Sequence, residues 1–225
     1  MKVDTSSPVY VVAFAVLFSA AFTAVVVSLQ VAAEPVIARN EAVREQRALV
    51  KVFELAVNVD ALSPGQVADI VKRRIDGALE VTDPVTQRTF RVYRATGADG
   101  KPVGLAFVIS GNGFWAPITG LLSLTPDRSE VIRAVFTDNS ETPGLGGRIT
   151  EQAFQKGQFA GLDATPPAEG KPYFTVASQR PGSGPRARRT VEAITGATQT
   201  SRAVVRFINA DLAAFQRAMK DYEKK

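Results

Sequence analysis

The sequence predicts an α+β protein: a mostly antiparallel sheet with flanking helices, preceded by one N-terminal transmembrane helix. Three observations predict it. An uncharged apolar run lies near the N-terminus, short β-rich stretches separated by turn residues fill the middle, and an amphipathic stretch with helical spacing closes the chain. Because the β-rich stretches follow one another without intervening helices, the sheet is predicted to be antiparallel rather than built from βαβ units.

The apolar run is the predicted membrane anchor, over residues 1–34. Residues 5–33 contain no charged side chain, and Val, Ala, Leu and Phe dominate residues 9–29. About 20 such residues cross a bilayer as a helix, whereas the apolar core of a cleavable signal has about 7–15. A signal peptide ending near Ala33 is the alternative.

The charges that flank the anchor leave its orientation open. Lys2 precedes the anchor, and four basic residues follow it: Arg39, Arg44, Arg47 and Lys51. Counted by the positive-inside rule, these charges would put the large domain in the cytoplasm. Long domains, however, translocate largely regardless of flanking charge.

Residues 35–80 are predicted to form a helical connector. Residues 36–57 carry apolar side chains on one helical face. A second helix is expected to start at Ser63-Pro64-Gly65, with Pro in the first turn, and to continue to about Leu79.

Residues 81–225 are predicted to form the main domain. Its strands are expected at residues 88–95, 103–109, 118–124, 130–137 and 173–177. Its helices are expected at residues 151–159 and 201–222. The last helix is the clearest, because apolar residues recur along it at helical spacing: Val204, Val205, Ile208, Leu212, Phe215 and Met219.

The composition excludes several kinds of site. The chain has no cysteine and no histidine. Protein-thiolate iron–sulfur clusters, disulfides, zinc sites and His- or Cys-ligated haem are therefore excluded within this chain. Nucleophilic sites that pair Ser or Cys with His are excluded too. Any redox chemistry here must come from an organic cofactor.

The net charge is +5, and the densest basic cluster lies at residues 180–189. No aromatic residue interleaves with its arginines, so a base-stacking nucleic-acid surface is not supported, and no nucleic-acid partner is expected. A solvated loop is the favoured interpretation. A weak attraction to anionic lipid headgroups or to an acidic partner subunit is the alternative.

A hydroxyl-rich turn precedes the last helix, with the sequence Ile-Thr-Gly-Ala-Thr-Gln-Thr-Ser at residues 194–201. Gly196 and Ala197 let the backbone come close to a ligand. Free N–H groups at the helix start, near Thr200, can hold a phosphate, and Arg202 adds positive charge. Plain helix capping by Thr or Ser explains the same residues about equally well.

A second small-residue segment, Glu-Thr-Pro-Gly-Leu-Gly-Gly, occupies residues 141–147 and follows a predicted strand. A Pro and three Gly fix a tight, exposed backbone there, against which a planar ring could lie beside Leu145. A structural turn between strand and helix is the alternative.

Taken together, the two segments resemble the FMN-binding subunit family of the Rnf and Na⁺-translocating NADH:quinone oxidoreductase (Nqr) complexes. An N-terminal membrane helix, a Glu-Thr-Pro-Gly-Leu-Gly segment and a Ser/Thr-Gly-Ala-Thr segment before a closing helix occur in the same order, so the resemblance covers essentially the whole chain. It implies that Thr198 is joined to FMN through a phosphoester, installed by a flavin transferase. It also implies a cofactor site that includes Thr195, Gly196, Ala197, Glu141, Thr142, Gly144, Leu145 and Gly146.

Two further features bear on this resemblance. Residues 111–117, Gly-Asn-Gly-Phe-Trp-Ala-Pro, are similar to a glycine-and-aromatic segment of the family, which would bring Trp115 near the flavin. A packed core aromatic is the alternative for Trp115. The family's motif has Asp six residues before the modified threonine, where this chain has Glu192.

The resemblance further implies an electron-transfer subunit of an ion-translocating membrane complex, without an active site of its own. Its partners would be the other subunits and the membrane lipid. Its location would be the cytoplasmic membrane, as a single-pass protein with most of the chain on the periplasmic side. Two alternatives remain: a stand-alone membrane-anchored FMN carrier, and an anchored binding or scaffold module without flavin.

Overall fold

A computed structural model describes residues 7–224 of the chain, which divides into two compact units, Met1–Val43 and Arg44–Lys225. The predicted fold class is confirmed: an apolar N-terminal helix precedes a mostly antiparallel sheet with helices. Each unit is described by itself below.

The first unit consists of most of helix α1, which runs from Pro8 to Val52. Residues 8–42 are exposed along its whole surface, and many of them are large apolar side chains. By length and composition this helix could cross a membrane, and it is a candidate anchor. Pro35 lies inside the helix, so the chain stays helical past the predicted membrane exit.

The second unit is built on a five-stranded antiparallel sheet in which chain order is also spatial order. Its strands are β1 Ile75–Thr82, β2 Thr89–Thr96, β3 Pro102–Asn112, β4 Pro117–Leu124 and β5 Val131–Asp138. A small parallel pair is formed by β6 Thr175–Ala177 and β7 Thr190–Glu192. The helices are α2 Pro64–Arg74, α3 Gln152–Gln155 and α4 Thr198–Tyr222, with 3-10 turns at Val59–Ala61, Gly146–Thr150 and Ala187–Arg189.

Both faces of the large sheet are buried. Alternation along β2 sends Phe90 and Val92 into one core cluster and Tyr93 and Ala95 into another. The first cluster includes the apolar face of α4, where Phe107 and Phe215 stack with ring centroids 3.9 Å apart. The second includes the last turn of α1. Helix α4 is therefore held firmly against the sheet, and its N-terminus has a fixed position.

The connector and the smaller elements differ from the sequence prediction. The helix expected to reach Leu79 ends at Arg74, and residues 75–82 form β1 instead. The helix expected at residues 151–159 is reduced to the single turn of α3. Strand β7 was not predicted, and β6 is shorter than expected.

The arginine-rich loop is attached to the domain, so its interpretation as a simply solvated loop is wrong. The Arg180 Nε donates to the Ala187 carbonyl at 2.8 Å. The Arg188 and Arg189 guanidiniums form ion pairs with Glu130 and Asp163, at 2.5 and 2.7 Å. These arginines stabilise the fold rather than forming a free basic surface.

A buried carboxylate ties α4 to the hairpin between β1 and β2. Asp83 is fully buried and accepts hydrogen bonds from the Arg217 Nε at 3.0 Å and a terminal nitrogen at 2.8 Å. The Arg217 guanidinium, helped by hydrogen bonds from Thr86 and Val85, holds the pKa of Asp83 well below its ordinary 3.8, although burial acts in the opposite direction.

This depressed pKa gives a pH dependence of known sign. Below about pH 4 the unfolded state binds a proton at this carboxyl that the folded state does not, so the contribution of Asp83 is present above that pH and is lost as the pH falls. We expect Asp83→Asn to lower the free energy of unfolding near neutral pH and to flatten its decline toward low pH. Urea titrations between about pH 6 and pH 2.5 measure this, and parallel pH curves for both proteins would contradict it.

Candidate functional site

The two motifs predicted from the sequence meet at one open cleft in the second unit. The cleft has a volume of about 340 Å³, at the lower end of the range for small-molecule sites. It is lined by Phe114, Trp115, Glu141, Thr142, Leu145, Gly146, Gly196, Ala197, Thr198, Gln199 and Thr200. Residues far apart in sequence are thus brought together by the sheet and by α4.

The first wall is the start of α4, a helix of 25 residues. It begins at Thr198, three residues earlier than predicted, and Thr198 is exposed to the cleft. Among the described residues no side chain caps this end of the helix, so the first-turn N–H groups lack both an intrahelical carbonyl and a side-chain acceptor. The interpretation of this motif as plain capping is therefore wrong.

Neighbouring hydroxyls bond to other groups than the helix N–H groups. Ser201 is buried; its hydroxyl donates to the Ala197 carbonyl at 3.1 Å and accepts from the Ile194 N–H at 3.0 Å. Gly196 has φ +80°, a conformation that favours glycine, and places the turn against Leu145. The turn is thereby fixed while the Thr198 hydroxyl is left facing outward.

The second wall is the segment after β5. Leu145 is 46% exposed, although its side chain borders the cleft. Gly144 has φ +76° and lets the chain reverse just before Leu145. Behind it, the buried Gly146 leaves room for two oxygens, because a Cβ there would lie 2.6 Å from the Glu141 Oε2 and 2.7 Å from the Thr200 Oγ1.

The third wall is the turn between β3 and β4. Phe114 and Trp115 are 56% and 71% exposed, and their rings meet edge to face with centroids 5.1 Å apart. The interpretation of Trp115 as a packed core aromatic is wrong. Two adjacent exposed aromatic rings beside a cleft are unusual for a plain surface and are typical of a binding wall.

Glu141 lies behind the cleft and connects its walls. Its side chain is 5% exposed. One carboxylate oxygen accepts from the backbone N–H groups of Phe114 and Trp115, at 2.7 and 3.0 Å. The other accepts from the Thr200 hydroxyl at 2.7 Å. The sequence predicted Glu141 as part of the site but not this bridging arrangement.

Not every predicted site residue lines this cleft. Thr195 lines a smaller cleft of about 160 Å³, shared with Arg148, Glu151 and Glu192. Gly144 shapes the turn without lining the larger cleft. Phe114, Gln199 and Thr200 line it and were not predicted. The adjacent aromatics of the glycine-rich turn at residues 111–117 were the available signal for Phe114.

The cleft therefore combines three properties. An exposed threonine hydroxyl stands at an uncapped helix start, which favours an anion. Apolar and aromatic side chains form the remaining walls, which suits a planar ring. Within residues 7–224, no group of three or more acidic side chains is placed to hold a metal ion.

Comparison with protein families and curated sequences finds similarity to flavin-related proteins. Residues 113–213, which include all three walls of the cleft, match the family of the FMN-binding domain. The NqrC protein of the Na⁺-translocating NADH-quinone reductase from Neisseria meningitidis is 32% identical over 113 residues, covering 50% of this chain and 42% of that protein. Its counterpart from Chlamydia pneumoniae is 27% identical over 154 residues, covering 61% and 48%. The matched part thus spans less than half the length of these relatives.

Solved structures with the same fold cover more of the chain. The crystal structure of Shewanella oneidensis NqrC has a TM-score of 0.64 at 18% identity, covering 83% of this chain and 98% of that one. The crystal structure of the same protein from Parabacteroides distasonis has a TM-score of 0.64 at 24% identity, covering 80% and 92%. At these identities the likeness concerns the fold.

Proposed function

From the premise that this chain belongs to the Rnf/Nqr family of FMN-binding subunits, we propose that it is the electron-transfer flavoprotein subunit of a membrane-bound, ion-translocating complex of that type. The observation that carries the proposal is the meeting of the Thr198 hydroxyl, an uncapped helix start and an aromatic wall in one cleft. An ordinary structural turn would need none of these to coincide.

The residues of the cleft fit FMN. Its phosphate would lie at Thr198, against the first-turn N–H groups of α4, where the positive end of the helix stabilises negative charge. Gly196 and Ala197 leave the backbone accessible there, and Thr195 completes the motif. The flat, largely apolar ring system would lie between the aromatic pair on one side and the 141–147 segment on the other, contacting Thr142, Leu145 and Gly146.

Attachment would be covalent, through Thr198. The threonine oxygen forms the bond to phosphorus and loses its proton, while the leaving group of the flavin donor departs with its electron pair. The product then equals the protein plus FMN minus one water. Because the chain has no histidine to act as a base, a separate flavin transferase would have to provide this catalysis.

When bound, FMN supplies one-electron chemistry. The residues of this chain would hold it in place: the bond at Thr198 prevents its loss, and the walls set its orientation. The cleft is open on one side, so an edge of the ring system stays accessible to a redox partner. Such an arrangement suits a carrier between neighbouring subunits rather than an enzyme with its own substrate.

The proposal extends to location and organisation. The anchor over residues 1–34 and the connector over residues 35–80 would hold the FMN-binding domain, residues 81–225, at the cytoplasmic membrane. The bulk of the chain would lie on the periplasmic side, as the family resemblance implies. Partners would be the other subunits of the complex and the surrounding lipid.

Orientation can be tested directly because the chain has no cysteine. A single Glu169→Cys substitution puts a thiol on an exposed loop of the second unit. We expect a membrane-impermeant maleimide to label this variant in intact spheroplasts. A matched thiol at Lys2, on the other side of the anchor, should react only after lysis. Labelling of Lys2→Cys but not of Glu169→Cys in intact spheroplasts would contradict the orientation.

The function itself is tested by purifying the full chain from detergent-solubilised native membranes. We expect in-gel flavin fluorescence that survives denaturation, together with co-purification of other membrane subunits. Flavin without partners would favour the stand-alone carrier. Partners without flavin would favour the scaffold module, and either result would overturn the proposal.

A further inference from the structure

We propose that Glu141 is a positioning residue of this cleft: its buried carboxylate holds the aromatic pair Phe114–Trp115 in place across from Thr198. This rests on the proposed function for its purpose, but its structural part can be tested without flavin.

The contacts of Glu141 cross three separate parts of the chain. The carboxylate belongs to the segment after β5, its Oε1 accepts from two backbone N–H groups of the turn between β3 and β4, and its Oε2 accepts from the Thr200 hydroxyl in the first turn of α4. Three donors at 2.7–3.0 Å satisfy both oxygens. No basic side chain forms an ion pair with Glu141 in the described part of the chain, residues 7–224, so hydrogen bonds alone bind it there.

Two glycines make room for this carboxylate. A Cβ at Gly113 would lie 2.4 Å from the Glu141 Oε1, and one at Gly146 would lie 2.6 Å from Oε2. Both distances are too short for any side chain, so the backbone on each side of the carboxylate is fitted closely around it. A carboxylate that served only to fill space would not need two such gaps.

The consequence concerns the aromatic wall. Phe114 and Trp115 are mostly exposed, so apolar packing contributes little to fixing them. Their backbone is held instead by the two N–H bonds to Glu141 and by the Gly113 N–H, which donates to the Ala116 carbonyl at 2.9 Å. Loss of the carboxylate would leave two N–H groups without their acceptor and free the turn to move relative to α4.

The chain offers a direct probe, since Trp115 is its single tryptophan. In protein made without a transferase, the fluorescence anisotropy of Trp115 reports how firmly the turn is held. We expect Glu141→Ala to lower this anisotropy. Glu141→Gln should retain the wild-type value, because an amide oxygen still accepts from both N–H groups and the amide nitrogen can donate to Thr200.

The opposite arm of the carboxylate provides a second pair of variants. Thr200→Val removes the donor from α4, and Thr200→Ser keeps a hydroxyl there. In protein supplied with transferase and flavin donor, the initial rate of flavin incorporation should fall about tenfold in Glu141→Ala and Thr200→Val. It should stay near the wild-type rate in the Gln and Ser variants. If Glu141→Ala does not fold, as judged by thermal unfolding, the Thr200 pair decides.

The proposal is overturned if Glu141→Ala and Thr200→Val keep both the wild-type anisotropy and the wild-type incorporation rate. It is overturned equally if the Gln and Ser variants fail as badly as Ala and Val, because hydrogen bonding would then not be the cause. If the wild-type protein takes up no flavin, the proposed function fails. The anisotropy comparison still decides the role of Glu141 in that case.

Discussion

Thr198→Ala protein, made together with a flavin transferase, is expected to carry no covalently bound flavin, whereas the wild type carries one. The substitution removes the only hydroxyl that the proposed phosphoester can use, and it leaves the walls of the cleft in place. Denaturing gels viewed for flavin fluorescence measure the loss.

Thr195→Ala is the matched control for this loss. Thr195 is also an exposed threonine of the same turn, but it lines the smaller neighbouring cleft. We expect Thr195→Ala to keep its covalent flavin. Undiminished fluorescence in Thr198→Ala, or loss only in Thr195→Ala, would place the attachment elsewhere.

Arg88→Ala is expected to destabilise the second unit by about 3 kcal/mol. Asp211 of α4 is 1% exposed and accepts hydrogen bonds from the Arg88 guanidinium and from the Ser110 N–H, the latter at 2.9 Å. Without Arg88 the carboxylate stays buried with no cation beside it. The lower end of the range for buried pairs is chosen because the Arg88 side chain is 35% exposed. Urea unfolding measures the change.

A double variant distinguishes loss of the ion pair from loss of packing. Replacing both partners by leucine removes the charge together with its partner, and such replacements are often close to neutral. We therefore expect Arg88→Leu with Asp211→Leu to be more stable than either single leucine variant. Additive losses in the double variant, or a loss below about 1 kcal/mol in Arg88→Ala, would contradict this account.

Much of the fold could be predicted because its signals are local. Strands β2 to β5 alternate apolar and polar residues between turn residues, and the apolar stripe of α4 recurs at helical spacing. The error at β1 also has a local cause. Apolar residues at Val67, Ile70 and Val71 favour a helix, whereas Leu79 and Val81 alternate as in a strand. The basic run before Ile75 was the stop signal that should have divided them.

The candidate site could be predicted only in part, for a different reason. The two motifs and Thr198 stand out as short segments of small and hydroxyl residues. The exposure of Trp115 does not, because it depends on a carboxylate 26 residues away in the chain that accepts its backbone N–H. The orientation of Thr195 toward a second cleft is likewise decided by the tertiary path of the turn. Contacts between distant segments are what the sequence pattern alone could not supply.

The most direct test of the central claim is peptide mass spectrometry of the wild-type chain purified from its own membranes. Digestion at Arg189 and Arg202 releases one peptide, residues 190–202, that contains Thr198. We expect this peptide to carry the mass of FMN minus one water, with fragment ions that assign the addition to Thr198. An unmodified peptide, or flavin assigned to another residue, would contradict the account.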